Sequence, residues 1–496
     1  MPTARVRLPD DLAPLLVALR AELEVPASFP DAVLGEASAA AASAPDPTAY
    51  ADETARVLVT LDPPGSTDLD QALGLRRRGV AGASGGGFEL DYAIADVGAF
   101  VRPGGLLDAE THQRGETLYL PDGRAPLHPD VIGTAAGSLL PDQVRRAVLW
   151  TITIDASGDP VGDPHVRRAL VRSRAQLDYV STQAALDAGT ASEPITLLPE
   201  IGALLAGAAE ARGAVDLPNV EQDVLHDADG YHLELRSPLA CEGHNAQLSL
   251  LTGRAAAAVM LRTGVGLLRT VPPPTPDQVA PVRRAALALG VPWPEDEGYP
   301  EVIRGLDPTD PHQAALLTAA GRLLRGSGYL AFGPGIADVP SGGKAEHAAV
   351  AAPYAHATAP LRRLADRYVS EICLSTAAGR AVPTWVTDAL PHLPHVMAAA
   401  DQRGHAVERA VLDLAEAALL QTRVGDVLDA VVLSTDHGRR EPASGPGGRG
   451  SALVQVSDPP VRSTVAADGL VAGSTVRLRV VSADTTRRTV DLLPVD

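Results

Sequence analysis

The residues best suited to chemistry lie in one short stretch, Thr60-Leu-Asp62-Pro-Pro-Gly-Ser-Thr-Asp68-Leu-Asp70-Gln71. A strand-like run ends at Asp62, a Pro-Pro-Gly-Ser turn reverses the chain, and two aspartates follow at positions i and i+2. On an extended backbone that spacing puts both carboxylates on one face, with Cα atoms about 6.6 Å apart. Two ionised carboxylates at that separation repel by roughly 2.5 kcal/mol at an effective dielectric of about 20. A hard divalent cation relieves such repulsion and prefers oxygen ligands, and the stiff proline turn holds Asp62 near as a third donor. Three carboxylates around one or two Mg²⁺ ions, with Mn²⁺ as a substitute, activate water and clamp a phosphate for in-line displacement. The same residue types also build ordinary turns, and most Asp-x-Asp pairs are solvated loop ends. A run of arginines, Arg167, Arg168, Arg172 and Arg174, either lines a channel for a polyanion or forms a solvated face.

The elements that must position these residues change texture along the chain. Residues 1–50 read as helical and end in an Ala/Ser/Pro-rich linker, Ala37 to Thr48. Val57–Leu61 and Phe88–Ala95 read as strands flanking a glycine-rich loop, Gly79 to Gly87. Leu149–Asp155 alternates apolar and polar residues as a half-buried strand does. Helical spacing runs over 173–213, 244–266, 311–326, 358–378 and 386–423. From Val424 short strands return, at 424–435, 452–456, 475–481 and 489–493, with a Gly/Pro/Arg/Ser loop at His437 to Gly450. That pattern predicts a small closed barrel of the OB type. Three units follow: a helical segment and linker over 1–50, a catalytic domain over 51–423, and the barrel over 424–496.

Composition sets limits. The chain has 496 residues, 45% hydrophobic and 21% charged, which describes a globular protein. No stretch approaches the roughly 18 unbroken apolar residues of a membrane span. Cys241 and Cys373 lie far apart in sequence and form neither a CxxC pair nor a disulfide framework, so a reducing cytoplasm is expected. A net charge of −19 argues against non-specific polyanion binding but leaves local basic patches open. Nearly all basic residues are arginines, Lys344 being the one lysine. Arginine favours bidentate phosphate contacts.

The acidic stretch resembles the catalytic signature of the ribonuclease II/R family, and four further segments agree with that family in order. Ala93-Ile-Ala-Asp-Val97 resembles its I-A-D-V strand. Arg114-Gly-Glu-Thr-Leu-Tyr119-Leu-Pro121 with Pro126-Leu-His-Pro129 resembles R-G-x-S-x-Y-x-P and the P-x-x-P that follows. Ser138-Leu-Leu-Pro-Asp-Gln-Val-Arg145 resembles S-L-x-P-x-x-x-R. Tyr354-Ala-His-Ala-Thr358-Ala-Pro360-Leu-Arg362-Arg363-Leu-Ala-Asp366 resembles Y-x-x-x-T-S-P-I-R-R-Y-x-D. The resemblance implies an α+β fold: an RNB catalytic domain with a mixed sheet and packed helices, then a small S1/OB-like barrel. It implies a Mg²⁺-dependent 3′→5′ exoribonuclease that acts as a monomer on single-stranded RNA, without a membrane, and releases 5′-nucleoside monophosphates. By position, Asp62, Asp68 and Asp70 are its metal-binding and catalytic aspartates, and Arg362 contacts the scissile phosphate. Tyr119 stacks on bases, Tyr179 stands at the blind end of the RNA channel, and Arg172, Thr358 and Arg363 are expected to contact RNA.

Two departures matter. The family has a fourth acid where this chain has Gln71, whose neutral carbonyl is expected to ligate Mg²⁺ more weakly. Residues 1–50 are too few and too helical for the cold-shock domains that precede the catalytic domain in long members. Ala359 in place of serine is a minor change. The tail from 424 carries little net basic charge, so weak RNA affinity is expected of it. A non-catalytic RNA-binding protein on the same fold is the second reading, motivated by Gln71 and the acidic surface.

Overall fold

Runs rich in valine, leucine, isoleucine and aromatic residues suit a pleated, half-buried surface; three such runs join two arginine-bearing strands in a closed ring. In the computed structural model, which describes residues 4–8, 12–43, 46, 48–79, 86–215, 217, 221–436, 450–467 and 469–495, the strand His165–Asp178, which also carries the short parallel strand Ala51–Asp52, closes the ring between two neighbours. Its first half pairs antiparallel with Val144–Ile154, and its second half runs parallel to Leu58–Asp62. Gln71–Arg78 and Gly87–Ala95 complete the circuit. The sheet is therefore a mixed, closed barrel. Side chains alternate across it, as strand geometry requires. Leu73, Tyr92, Ile94 and Trp150 face a core capped by the helices Ala240–Thr263 and Leu364–Ala377, while Ala72, Ala93 and Leu149 pack on the other side against the helix Asp31–Ala42.

The α+β architecture with a terminal barrel is as expected. Val427–Asp436, Ser451–Val456, Arg462–Ala466, Thr475–Asp484 and Thr489–Val495 form a five-stranded antiparallel sheet curled into a nearly closed barrel. The strand Arg462–Ala466 was not legible in the sequence, because Arg-Ser-Thr-Val-Ala offers only a single large apolar residue to count.

Four element assignments need correction. Residues 1–50 are not wholly helical: Ala4–Arg7 is a strand, paired with Gly230–Arg236 beside Glu221–Asp227 in a separate three-stranded sheet. The expected linker is helical as far as Ala42, since its alanines carry high helix propensity and Val33 and Ala37 are buried. The helical spacing assigned to 173–213 begins only at Tyr179; 173–178 belong to the barrel, where parallel pairing overrides local pattern. The helix expected from 358 starts at Leu364, because Pro360 cannot sit inside a helix. Parts of the two expected loops, 80–85 and 437–449, lie outside the described residues, as do residues 44, 45 and 47 of the linker. Among the described residues no helix is long and apolar enough to cross a membrane. Both cysteines are buried and free.

One close approach ties a core helix to the loop before Thr358. A Cβ on Gly253 would overlap the Tyr354 ring and stand 2.6 Å from the Ala355 carbonyl. Gly253→Ala is expected to destabilise the fold by about 1–3 kcal/mol, seen as a lower melting temperature in calorimetry. An unchanged melting temperature would show that this contact is slack.

Candidate functional site

The acidic turn is braced before any ligand is considered. Leu69 N–H donates to Ser138 Oγ at 3.0 Å, and that hydroxyl donates to the Thr67 carbonyl at 2.8 Å. Leu139 N–H donates to the Leu69 carbonyl. The Ser138-Leu-Leu-Pro segment therefore works as a backrest for Asp68 and Asp70. On the opposite side, His128 Nε2 lies 3.2 Å from the Pro360 carbonyl. The Pro126–Pro129 segment thus supports the loop that carries Arg362.

The three aspartates end in different surroundings. Asp70 is 1% exposed; its carboxylate accepts from Leu361 N–H at 2.7 Å and from Arg362 Nε at 2.8 Å. Burial raises its pKa to about 7, against the pull of Arg362 and the Leu361 N–H. Asp68 accepts a hydrogen bond from the Tyr119 hydroxyl at 2.5 Å and has Arg124 Nη1 at 3.4 Å. Asp62 closes the strand Leu58–Asp62, and its Oδ2 is buried with no partner. Burial raises the Asp62 pKa to about 6; Arg362 lowers it and the charge of Asp68 raises it further. Among the described residues no three acidic, histidine or cysteine side chains form a ready cation cluster, and Asp70 is committed to the arginine loop.

A divalent ion still fits this donor set. Mg²⁺ is held through one or two carboxylates, with water and substrate phosphates filling its octahedron. Asp62 offers a buried oxygen without a partner, a situation that costs about 1–3 kcal/mol, and Asp68 is near enough to act on its charge. These two could hold such an ion. Gln71 is differently employed: its amide nitrogen donates to the Thr358 carbonyl at 2.6 Å and its oxygen accepts from the Tyr92 hydroxyl at 2.8 Å.

Arg362 joins the aspartates and Tyr119 in one place. Burial alone would lower its pKa, and the Asp70 and Tyr119 oxygens raise it above the ordinary value. Its Nε is spent on Asp70, while its two terminal nitrogens have no partner among the described residues and the side chain is 40% exposed. Tyr119 presents an exposed ring at the rim. Tyr179 opens the helix Tyr179–Asp187; its hydroxyl accepts from Asn245 Nδ2 at 3.0 Å, and burial pushes its pKa up to about 12.

Several of the other arginines are spent on the fold. Arg363 gives its Nε and Nη2 to Asp366. Arg168 pairs with Asp96 and Glu371, Arg167 with Glu53, and Arg174 donates to the Thr54 carbonyl. Arg172 lies opposite Val144 with its Nε buried and unpartnered, and is bonded to none of the three aspartates. Thr358 contributes its buried carbonyl rather than its hydroxyl. Sequence reasoning missed Tyr92, Ser249, Arg124 and Asn245, which sit in no motif. Asp366 stood in a motif, and an arginine three residues before an acid was the signal for it.

Comparison with known proteins identifies the family and the fold. The model of the RNB domain matches residues 51–376, and that of the RNase II-type exonuclease C-terminal S1 domain matches 426–495. The chain is 27% identical to exosome complex exonuclease RRP44 homolog A of Arabidopsis thaliana over 67% of this chain and 36% of that one. It is 25% identical to ribonuclease R of Vibrio cholerae over 77% of this chain and 48% of that one. The chain thus spans between about a third and a half of these curated relatives. In fold it is similar to Mycoplasma genitalium RNase R solved with double-stranded RNA, with a TM-score of 0.81 at 17% identity, over 98% of this chain and 84% of that one. It is also similar to a yeast pseudonuclease, with a TM-score of 0.66 at 15% identity, over 86% and 52%.

The raised pKa of Asp62 has a consequence for cation binding. Its carboxylate takes up a proton as pH falls through about 6, so below that value a cation competes with the proton. Mn²⁺ bound at about pH 7.5 is expected to be released on titration to about pH 5, followed by the spin-resonance signal of the free ion. Asp62→Asn is expected to bind weakly at every pH and to lose the step. A step that persists in Asp62→Asn would rule this residue out as the ligand.

Proposed function

The chain belongs to the RNB-domain family, and from that premise we propose that it is a Mg²⁺-dependent hydrolytic 3′→5′ exoribonuclease. Its substrate is single-stranded RNA and its products are 5′-nucleoside monophosphates. The observation that carries this reading is Arg362. A guanidinium anchored through Nε by a buried carboxylate, with both terminal nitrogens unpartnered among the described residues, is set to receive a phosphate. The ribonuclease R and exosome exonuclease relatives support RNA cleavage from an end.

The roles follow from placement. Tyr119 stacks a base at the rim, a contact blind to sequence. Tyr179 and Asn245 close the inner end against the terminal nucleotide. Arg362 stabilises the charge that develops on the scissile phosphate, and Asp70 keeps that guanidinium aimed. Asp62 and Asp68 would hold the divalent ion, which supplies charge neutralisation and a more acidic water when bound.

A catalytically weak or inactive RNA-binding protein is the competing reading. It is favoured by the commitment of Gln71 and Asp70 to protein partners and by the likeness to a pseudonuclease. A gel separates the two. With 5′-labelled single-stranded RNA and Mg²⁺, stepwise shortening is expected, abolished by EDTA and by Asp70→Asn. Arg362→Ala is expected to lower kcat by about 10²–10³-fold. RNA left intact across a wide range of Mg²⁺ and Mn²⁺, with folded protein, would favour the inactive reading.

A further inference from the structure

Position 71 departs from the family pattern, and the structure gives it different work. Gln71 follows Asp70 directly at the start of the strand Gln71–Arg78, so the two side chains leave opposite faces of an extended backbone. Both reach the same loop. Asp70 binds Leu361 N–H and Arg362 Nε from one side. From the other, Gln71 Nε2 donates to the Thr358 carbonyl at 2.6 Å. The Gln71 amide cannot simply turn away, because its oxygen accepts from the Tyr92 hydroxyl at 2.8 Å, and that hydroxyl lies 2.8 Å from Ser249 Oγ. Tyr92 is 1% exposed and Thr358 4% exposed.

An ionised acid at position 71 would break this arrangement. A carboxylate has no hydrogen to donate. It would confront the Thr358 carbonyl with a second acceptor in a buried place, where an unmatched polar group is costly. The amide is therefore what this loop requires. The backbone strand fixes one end of the clamp, since Gln71 is in register with Ile94. The other end lies four residues before Arg362.

We propose that Gln71 is a positioning residue, whose amide fixes the Thr358 carbonyl and so the loop that aims Arg362 at the phosphate. This chain holds its arginine with a neutral clamp at the position where the pattern it resembles has a fourth acid. The inference rests on the nuclease reading, since the clamp matters through the meeting of Arg362 with a phosphate. It also revises position 71 as a metal ligand: the ion is left to Asp62 and Asp68, with water and phosphate oxygens.

The test is equilibrium binding of a labelled single-stranded oligoribonucleotide in EDTA, where no divalent ion takes part. Gln71→Glu, nearly isosteric, is expected to bind about 10-fold more weakly than wild type at about pH 8. Combined with Arg362→Gln, it is expected to add nothing, because both changes act through one guanidinium. Protonated glutamic acid offers an O–H to the Thr358 carbonyl. Affinity relative to wild type at the same pH is therefore expected to recover as the pH is lowered to about 5.5. Tyr92→Phe, which removes only the support of the Gln71 oxygen, is expected to give a smaller loss in the same direction, and decides the matter should Gln71→Glu not fold. Wild-type affinity in Gln71→Glu, or losses that add in the double variant, would overturn the inference. So would a Gln71→Asp enzyme that binds RNA normally in EDTA and needs less Mg²⁺ for half-maximal cleavage. Wild-type protein that binds no RNA would instead sink the nuclease reading itself.

Discussion

A single buried carboxylate joins two parts of the chain almost three hundred residues apart. Asp70 accepts from the Leu361 backbone and from Arg362 Nε, and its carboxylate is buried, so water cannot cheaply replace these donors. Removing one member of such a set leaves the other groups buried without partners, which costs far more than the net worth of the bond. The acidic turn and the arginine loop therefore come together or not at all. Everything the site can do depends on that junction, because the guanidinium faces outward only while its Nε is held.

The motif residues around the site are largely in the service of this junction. Ser138 pins the turn through two hydrogen bonds, His128 steadies Pro360, and Asp366 takes both Ala359 N–H and the Arg363 side chain. Asp96 binds Tyr50 and Arg168, fixing the strand His165–Asp178 against the helix of Glu371. In the arginine run, Arg167 and Arg168 are spent on internal ion pairs and Arg174 on a backbone carbonyl. The chain carries a net charge of −19, and beside the acidic turn the two terminal nitrogens of Arg362 have no partner among the described residues. Stacking on Tyr119 needs no positive charge, which suits such a surface.

Three of the five barrel strands were legible, Val57–Leu61 and Phe88–Ala95 from runs of strand-forming residues and Leu149–Asp155 from its alternation, whereas Gln71–Arg78 and His165–Asp178 were not. Elements decided by distant pairing were not legible either. Ser173–Asp178 looks helical by spacing and is a strand because Leu58–Asp62 lies alongside it. Ala4–Arg7 has no strand signal of its own and pairs with a hairpin more than two hundred residues away. The site shows the same division. Asp62, Asp68, Asp70, Arg362 and Tyr119 stood out by type and order, whereas Arg363 and Arg168 look equally available on paper and are consumed by Asp366, Asp96 and Glu371.

The order of residue types along the chain was enough to choose the family, the two-part architecture and the group of acids, because each depends on near neighbours in sequence. Which acid is buried, which arginine keeps free nitrogens and whether Gln71 faces an ion or a carbonyl were settled only by folding. Desolvation and hydrogen-bond matching act between side chains that the barrel and its helices bring together from Asp62 at one end to Asp366 at the other. Charge and donor capacity are written in the residues; the partner that uses them is chosen in three dimensions.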